Sequence, residues 1–339
     1  MNKFISFLKN KNNEEIKLKS LGIILLIVAT VLFLWHSVGI KSAETEKYKI
    51  FFIPKTVESG NDFWTSLIDG AKLAAKEFDV ELYISGANSE QDISGQVKYI
   101  KKAIEMKPDA IVVAPCSYSG MTDILKEVIE NDIRLILIDS VIDEDISEGI
   151  VATDNFRAGK ELGEYASVLI KDDSEIGIIA HVKGSSTAMQ REEGIKEGLG
   201  IKKNNVVHTK FCGSSYDKAY DLAKEMIEKN PDLNVIFGTN EYASVGAARA
   251  VLDMNRDDIK IYGFDNSIEE IKYLEQGIFD AIIIQKPFNM GYLGIKQTVS
   301  ALNGEEIEKY IDSGCKLIDI NNMYDVENQR LLYPFAGQK

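Results

Sequence analysis

Short apolar runs alternate with amphipathic stretches from residue 48 to about residue 320. Apolar runs of four or five residues, such as 49–53, are typical of buried strands, whereas apolar residues recurring every three or four positions predict helices. The first series predicts strands at 49–53, 80–84, 110–114 and 135–138, with helices at 62–78, 89–106 and 120–131. Continuous apolar strands separated by helices indicate a parallel sheet that is buried on both faces.

The same alternation starts again after an acidic loop at residues 143–148. It predicts helices at 158–170, 187–199, 217–229, 243–254, 268–275 and 290–302, strands at 176–180, 206–210, 235–238, 259–263 and 281–285, and a short closing segment at 315–320. Two consecutive series of this kind predict an α/β protein with two doubly wound parallel-sheet lobes.

An uncharged apolar run at residues 21–35 precedes the alternating region, and its apolar character continues weakly to residue 40. Such a run is just long enough to span a bilayer, and the excess of lysine before it favours a cytoplasmic N-terminus. We therefore predict a cytoplasmic tail at 1–20 and a single-pass transmembrane signal anchor at 21–40, with the binding module on the extracytoplasmic face of the cell membrane. Cleavage near the small residues at 37–39 is the alternative.

Composition narrows the function classes. The 53 acidic and 39 basic residues give a net charge of -14, which disfavours nucleic-acid binding. The three cysteines have no metal-site spacing, and three histidines leave little material for a metal centre. No GxSxG or HExxH motif occurs, so we expect neither an enzyme nor a bound metal or cofactor.

Polar and aromatic residues follow the predicted strands at the edge where ligands bind in such sheets. They are Lys55, Asn61, Phe63, Trp64, Cys116, Asp139, Asp154, Asn155, Tyr216, Asn240, Glu241, Asp265 and Gln285, and the stretch 184–187 is also expected to face the cleft. Planar polar groups pair with hydroxyls, and aromatic faces cover the C–H side of a sugar ring. Taken singly, Asp139, Asp265 and Asn240 are equally compatible with helix capping, and Cys116 with an inert buried residue.

In combination these residues resemble the type I periplasmic binding proteins, in particular the ribose and related sugar-binding subfamily. The resemblance covers residues 48–320 and rests on the motifs NDFW at 61–64, FGTNE at 237–241, GFD at 263–265 and QKP at 285–287. It implies a sugar site that comprises Asn61, Phe63, Trp64, Asp139, Tyr216, Asn240, Asp265 and Gln285.

Three positions depart from the ribose-binding pattern. Ser140 and Met189 stand where that subfamily carries arginine, and Ala114 stands where it carries asparagine. Loss of these donors changes which hydroxyls can be satisfied, so ribose does not follow from the resemblance. Lys55 is a candidate replacement donor. Arg191, two residues beyond Met189, is either a second ligand contact or a structural side chain.

The resemblance also implies three hinge crossovers, with the first lobe at 48–153 plus 286–318 and the second at 154–285 plus 319–339. The expected hinge residues are Thr153, Asp154, Gln285, Lys286 and Asp319. Closure around a monosaccharide, a pentose or a hexose, would be sensed by a membrane partner. That partner is either a two-component histidine kinase or the permease of an ABC sugar importer, and a non-sugar ligand such as a furanose autoinducer is the alternative cargo.

Overall fold

The computed structural model describes residues 24–32, 46–58 and 60–333, of which 24–32 are helical. No helix within these ranges has the length and apolar character needed to cross a bilayer. The predicted tail at 1–20, the candidate cleavage site at 37–39 and most of the predicted anchor lie outside the described residues, as do residues 334–339. A separate compact unit begins at Tyr48, and it contains both predicted lobes.

The first lobe is built on a six-stranded, fully parallel sheet. Its strands are β1 (Lys49–Ile53), β2 (Glu81–Ile84), β3 (Ala110–Val113), β4 (Arg134–Ile138), β5 (Gly149–Ala152) and β11 (Tyr310–Asp312), in the spatial order β11-β5-β4-β3-β1-β2. Its helices are α1 (Asp62–Glu77), α2 (Ile93–Glu105), α3 (Thr122–Glu130) and α9 (Pro287–Leu302). The central strands β1, β3 and β4 are almost entirely buried, as their continuous apolar runs predict.

The second lobe repeats this plan with one antiparallel edge strand. Its strands are β6 (Glu175–Ala180), β7 (Val206–Phe211), β8 (Leu233–Gly238), β9 (Lys260–Phe264), β10 (Phe279–Gln285) and the antiparallel β12 (Cys315–Ile318), in the order β12-β10-β9-β8-β6-β7. Its helices are α4 (Asn155–Leu169), α5 (Ser186–Gly198), α6 (Tyr216–Lys229), α7 (Glu241–Asp253), α8 (Ile268–Glu275) and α10 (Val326–Leu332). The predicted fold of two α/β parallel-sheet lobes is therefore confirmed.

Two strands and one α-helix are missing from the sequence prediction. Strand β5 is only four residues long and directly follows the acidic loop, and β11 is a three-residue edge strand whose ends are exposed. Helix α10 buries only Asn328 and Leu332, so its apolar periodicity is weak. Short or edge elements carry too few buried positions to produce a recognisable pattern.

Glycines bring one helix pair into backbone contact in each lobe. A Cβ at Gly291 of α9 would lie 1.9 Å from the Leu67 carbonyl oxygen of α1, and a Cβ at Gly194 of α5 would lie 2.2 Å from the Phe156 carbonyl oxygen of α4. Helices α4 and α9 are the first elements after two of the crossovers. These two crossovers therefore lead directly into helices that are packed tightly against their own lobes.

The chain passes between the sheets at residues 153–154, at Lys286 and at 313–314. At these points the Thr153 hydroxyl donates to Gln285 Oε1 (3.0 Å) and lies 3.3 Å from Ser313 Oγ. One side chain in or next to each crossover thus joins a single buried hydrogen-bonded group, which we call the hinge tie (Thr153, Gln285 and Ser313).

The third crossover differs from its predicted position. We expected the first lobe to extend to residue 318 and Asp319 to be a hinge residue, but Cys315–Ile318 pairs with β10 in the second sheet. Gly314, with φ +83°, makes the preceding turn. Asp319 lies within the second lobe, where it accepts a hydrogen bond from the Tyr165 hydroxyl at 2.7 Å. The boundary therefore moves to 313–314, because the strand-like pattern that follows belongs to the second sheet.

Candidate functional site

A cavity lies between the carboxyl ends of the two sheets, with a volume of about 320 Å³ that includes the solvent space at its opening. Both lobes contribute to its polar lining, which consists of Lys55, Asn61, Phe63, Trp64, Glu90, Asp139, His181, Thr187, Arg191, Asn240, Asp265 and Gln285. The structure thus brings together most of the predicted site residues at one place.

Two aspartates occupy equivalent positions, one in each lobe. Asp139 directly follows β4 and Asp265 directly follows β9, and both have left-handed backbone with φ of +64° and +83°. Their backbone N–H groups donate to Val151 and Ile283 of the neighbouring strands, at 2.9 and 2.8 Å. The left-handed region is sparsely populated outside glycine and is most accessible to asparagine and aspartate. Backbone geometry therefore helps to direct both carboxylates toward the cavity.

Lys55 and Asp139 form a buried ion pair on the first lobe. The Lys55 Nζ lies 2.7 Å from Asp139 Oδ2, and the two side chains are 4% and 5% exposed. The ammonium group also donates to the Thr187 hydroxyl of the second lobe at 3.3 Å and lies 5.9 Å from the centre of the Trp64 ring. Lys55 is therefore a donor in the cavity lining, as expected for a candidate replacement for the missing arginines.

Phe63 and Trp64 form the aromatic wall. Their ring centres are 5.0 Å apart with the planes at 84°, so one ring meets the other edge-on. The Trp64 indole N–H donates to Glu90 Oε1 at 2.6 Å, which fixes the orientation of the ring.

Asn61 has both a capping role and a contact across the cleft. Its Oδ1 accepts the Trp64 backbone N–H at 3.1 Å, which caps α1, and its Nδ2 donates to Glu241 Oε2 at 3.0 Å. Burial raises the pKa of Glu241 to about 8, opposed by the hydrogen bond from the Tyr216 hydroxyl and reinforced by Asp265. A carboxyl group that titrates near neutrality therefore lies at the contact between the lobes.

Asp265 and Gln285 connect the cavity to the hinge. Gln285 Nε2 donates to Asp265 Oδ1 at 2.7 Å, and the Glu241 backbone N–H donates to Asp265 Oδ2 at 3.0 Å. Burial raises the pKa of Asp265, an effect that the positive charge of Arg191 and these hydrogen bonds oppose. Asp265 thus accepts the first backbone N–H of α7, whose N-cap is Asn240, and lines the cavity at the same time.

Arg191 combines the two roles that its sequence position left open. Its Nε donates to Asn155 Oδ1 at 2.8 Å, its Nη1 donates to the Thr239 carbonyl at 2.7 Å, and its guanidinium lies 4.5 Å from the centre of the Phe264 ring. These contacts hold the side chain in place while it also lines the cavity. It is therefore a structurally fixed donor rather than a flexible one.

His181 and Thr187 complete the second-lobe wall. The two ring nitrogens of His181 lie 2.8 Å from the Thr239 and Thr187 hydroxyls. Burial lowers the pKa of His181 well below its ordinary value, and Arg191 and Lys55 lower it further, so the ring is neutral. His181 directly follows β6, so the strand-end rule could have identified it, and Thr187 lies at the end of the stretch 184–187 that was expected to face the cleft.

Among the predicted ligand-binding residues, Met189 and Tyr216 lie outside the cavity lining. Met189 is 39% exposed, because positions 187 and 191 share one face of α5 and position 189 points away from it. Tyr216 touches the site only through its hydrogen bond to Glu241, and its ring instead lines a surface pocket beside Arg249. Cys116 is also outside the lining, and burial raises the pKa of its thiol to about 12, which keeps it protonated at neutral pH.

The hinge residues also have defined positions. Thr153 and Gln285 belong to the hinge tie. Asp154 caps α4 by accepting the Arg157 backbone N–H at 2.9 Å. Lys286 forms the second crossover. Of these, Gln285 alone also lines the cavity described above. Within the described residues no group of histidine, cysteine or carboxylate side chains has the arrangement of a metal site.

The comparisons with known proteins agree with this architecture. The sequence profile of the family described as "Periplasmic binding protein domain" matches residues 50–306. A sugar transporter from Clostridium phytofermentans has a crystal structure with a TM-score of 0.77 and 42% identity, covering 80% of this chain and 99% of that one. A carbohydrate transporter solute-binding protein from Agrobacterium radiobacter, solved in complex with D-arabinose, has a TM-score of 0.81 and 26% identity, covering 85% and 100% of the two chains.

A curated relative gives the same result at the level of sequence. The D-ribose/D-allose-binding protein of Pseudomonas aeruginosa is 28% identical over 277 residues, which are 78% of this chain and 86% of that protein. Members of this family bind solutes rather than catalyse reactions, and the expected resemblance to sugar-binding proteins is confirmed. The chain belongs to the periplasmic binding protein family.

Proposed function

We propose that this protein captures a monosaccharide between its two lobes and presents it to an ABC sugar importer. The observation that carries this proposal is the cavity at the facing strand ends, where polar side chains of both lobes surround one edge-on aromatic pair. Relatives whose names refer to D-ribose, D-allose and D-arabinose or to sugar transport support the class of ligand and the class of partner.

The polar lining suits the hydroxyl groups of a sugar. The carboxylates of Asp139 and Asp265 accept hydrogen bonds, Lys55 and Arg191 donate them, and Gln285 is able to do both. Hydroxyls act as donors and acceptors, so they can satisfy each of these groups at short range. The ring of Trp64 provides an apolar surface for the C–H face of a pyranose or furanose.

The balance of charge favours a neutral ligand. The positive side chains Lys55 and Arg191 are accompanied in the cavity lining by the carboxylates Asp139, Asp265 and Glu90. Lys55 is paired with Asp139, and the charge of Arg191 interacts with the buried carboxyl group of Asp265. A phosphate or a carboxylate ligand would therefore find no uncompensated positive charge.

The proposal includes the position of the protein on the membrane. The uncharged run at 21–35 with its flanking lysines supports a tether that holds the binding lobes outside the cytoplasm. Fractionation of expressing cells tests the tether, because a cleaved protein would appear in the soluble extracytoplasmic fraction at lower mass. A histidine kinase partner would be indicated instead if the sugar-loaded protein stimulated autophosphorylation of a kinase but not ATP hydrolysis by an importer.

Thermal unfolding with added sugars tests the ligand. D-ribose, D-allose, D-arabinose, D-xylose and D-galactose are added to the full chain, and a sugar at 100 times its Kd is expected to add about 2.7 kcal/mol of stability. Asp265→Asn, whose new side chain tolerates the left-handed backbone, should abolish the rise in Tm. The exposed Asp257→Asn is the matched control and should preserve it. No rise with any sugar, or a rise that survives Asp265→Asn, would contradict the proposal.

A further inference from the structure

Two adjacent residues of the first lobe dock on two adjacent residues of the second. Gln91 Nε2 donates to the Gly213 carbonyl at 2.6 Å, and the Ser214 hydroxyl donates to Glu90 Oε2. Glu90 is 8% exposed and lines the cavity, so this contact is formed at the edge of the proposed sugar site. We refer to Glu90, Gln91, Gly213 and Ser214 as the clasp.

The backbone of the second lobe is strained at the clasp. Gly213 and Ser214 have φ of +64° and +52°, so two consecutive residues are left-handed, and Ser214 is not a residue that adopts this conformation readily. A Cβ at Gly213 would lie 2.4 Å from the Gln91 amide nitrogen. Strain of this kind persists where surrounding contacts maintain it and is concentrated at ligand sites and moving parts.

Glu90 uses both carboxylate oxygens to join groups from opposite lobes. One oxygen accepts the Trp64 indole N–H at 2.6 Å, and the other accepts the Ser214 hydroxyl. Ser214 in turn accepts a hydrogen bond from Asn240 Nδ2 at 3.2 Å. The carboxylate thus links a ring of the first lobe to an amide of the second, and both of these groups line the cavity.

We propose that Glu90 is a positioning residue for ligand binding, which orients Trp64 and, through Ser214 and Asn240, couples the placement of that ring to closure of the lobes. This inference rests on the proposed function. The contact between Glu90 and Ser214 joins the lobes directly, so it stabilises the closed complex and must break when the lobes separate. Its loss therefore raises the dissociation rate more than it lowers the association rate.

Four variants of the full chain test this role with D-ribose, D-allose and D-arabinose as probes. Glu90→Ala and Ser214→Ala should weaken binding of the recognised sugar by roughly 10- to 100-fold, mainly through faster dissociation. Glu90→Gln should recover part of the affinity, because its carbonyl oxygen still accepts the indole N–H. Glu105→Gln, an exposed carboxylate on α2 of the same lobe, is the matched control and should bind as the wild type does.

A double-mutant cycle separates positioning from general stability. If Glu90 acts partly by orienting the Trp64 ring, Glu90→Ala should reduce the affinity less in a Trp64→Phe background than in the wild type. Equal losses in the two backgrounds, or an unchanged dissociation rate in both Glu90→Ala and Ser214→Ala, would overturn the inference while leaving the sugar-binding function intact.

A measurement without sugar keeps the inference testable if the proposed function fails. The chain has two tryptophans, so Trp35→Phe leaves Trp64 as the sole emitter. Trp64 is 2% exposed, and Glu90→Ala in this background should raise acrylamide quenching of its fluorescence several-fold, whereas Glu105→Gln should not. Unchanged quenching in Glu90→Ala would overturn the inference, and absence of sugar binding by the wild type would overturn only the proposed function.

Discussion

Replacement of Lys55 by methionine isolates the buried ion pair at the base of the cavity. The variant keeps the length of the side chain and removes its charge, so Asp139 is left 5% exposed without the ammonium group that lies 2.7 Å away. Removal of one partner from a buried ion pair costs about 3–5 kcal/mol, because the remaining charge is uncompensated. At the size of this chain about 1 kcal/mol changes Tm by roughly 2 °C, so we expect Tm to fall by about 6–10 °C in the absence of sugar.

A second substitution, at Asp139, distinguishes a charge effect of Lys55→Met from a packing effect. Asp139→Asn removes the uncompensated charge, and asparagine tolerates the left-handed backbone at φ +64°. Lys55→Met/Asp139→Asn should therefore be more stable than Lys55→Met alone. Calorimetry of the wild type, both single variants and the double variant gives the coupling free energy between Lys55 and Asp139. The reasoning is refuted if Lys55→Met unfolds at the wild-type temperature, or if the second substitution lowers Tm further.

Two more predictions concern the lobe contact and the helix packing. Folding raises the pKa of Glu241 from 4.5 to about 8. Between these two pH values the carboxyl group is therefore mostly protonated in the folded protein and mostly ionised in the unfolded protein. The stability that this group contributes is therefore complete below about pH 4.5 and is lost as the pH rises to 8, with a slope of at most about 1.4 kcal/mol per pH unit. Unfolding curves between pH 5 and 9 should show that the free energy of unfolding declines in the wild type and declines less steeply in Glu241→Gln. Identical pH profiles for the two proteins would contradict this contribution from Glu241. Gly291→Ala would place a Cβ 1.9 Å from the Leu67 carbonyl oxygen and should lower the free energy of unfolding by at least about 1–3 kcal/mol. Denaturant titration measures this loss, and an unchanged midpoint would mean that α1 and α9 separate easily.

Position along the strands explains why much of the candidate site could be predicted. Parallel strands end at a common edge, so Asp139 after β4 and Asp265 after β9 had to lie at the cleft. His181 follows β6 in the same way, so the same rule includes it although the prediction did not. Met189 was included through a family position, although the periodicity of α5 directs it away from Thr187 and Arg191.

Other features depend on the relative placement of the lobes, which no local pattern encodes. The contact between Glu90 and Ser214 joins residues 124 positions apart and requires both lobes to be in place. The third crossover was misplaced because Cys315–Ile318 has the pattern of a strand but no signal for which sheet it joins. Pairing partners of short edge strands are settled by tertiary contacts rather than by propensity.

The hinge tie limits the kinds of motion that are available to the two lobes. Three independent connections could slide, twist and bend separately, since each residue has two soft dihedral angles. The hydrogen bonds that Thr153 makes with Gln285 and with Ser313 instead connect the three crossovers to one another. We expect opening to follow a single angular coordinate, so that one distance measured between labels on the two lobes would report the whole equilibrium between open and closed forms.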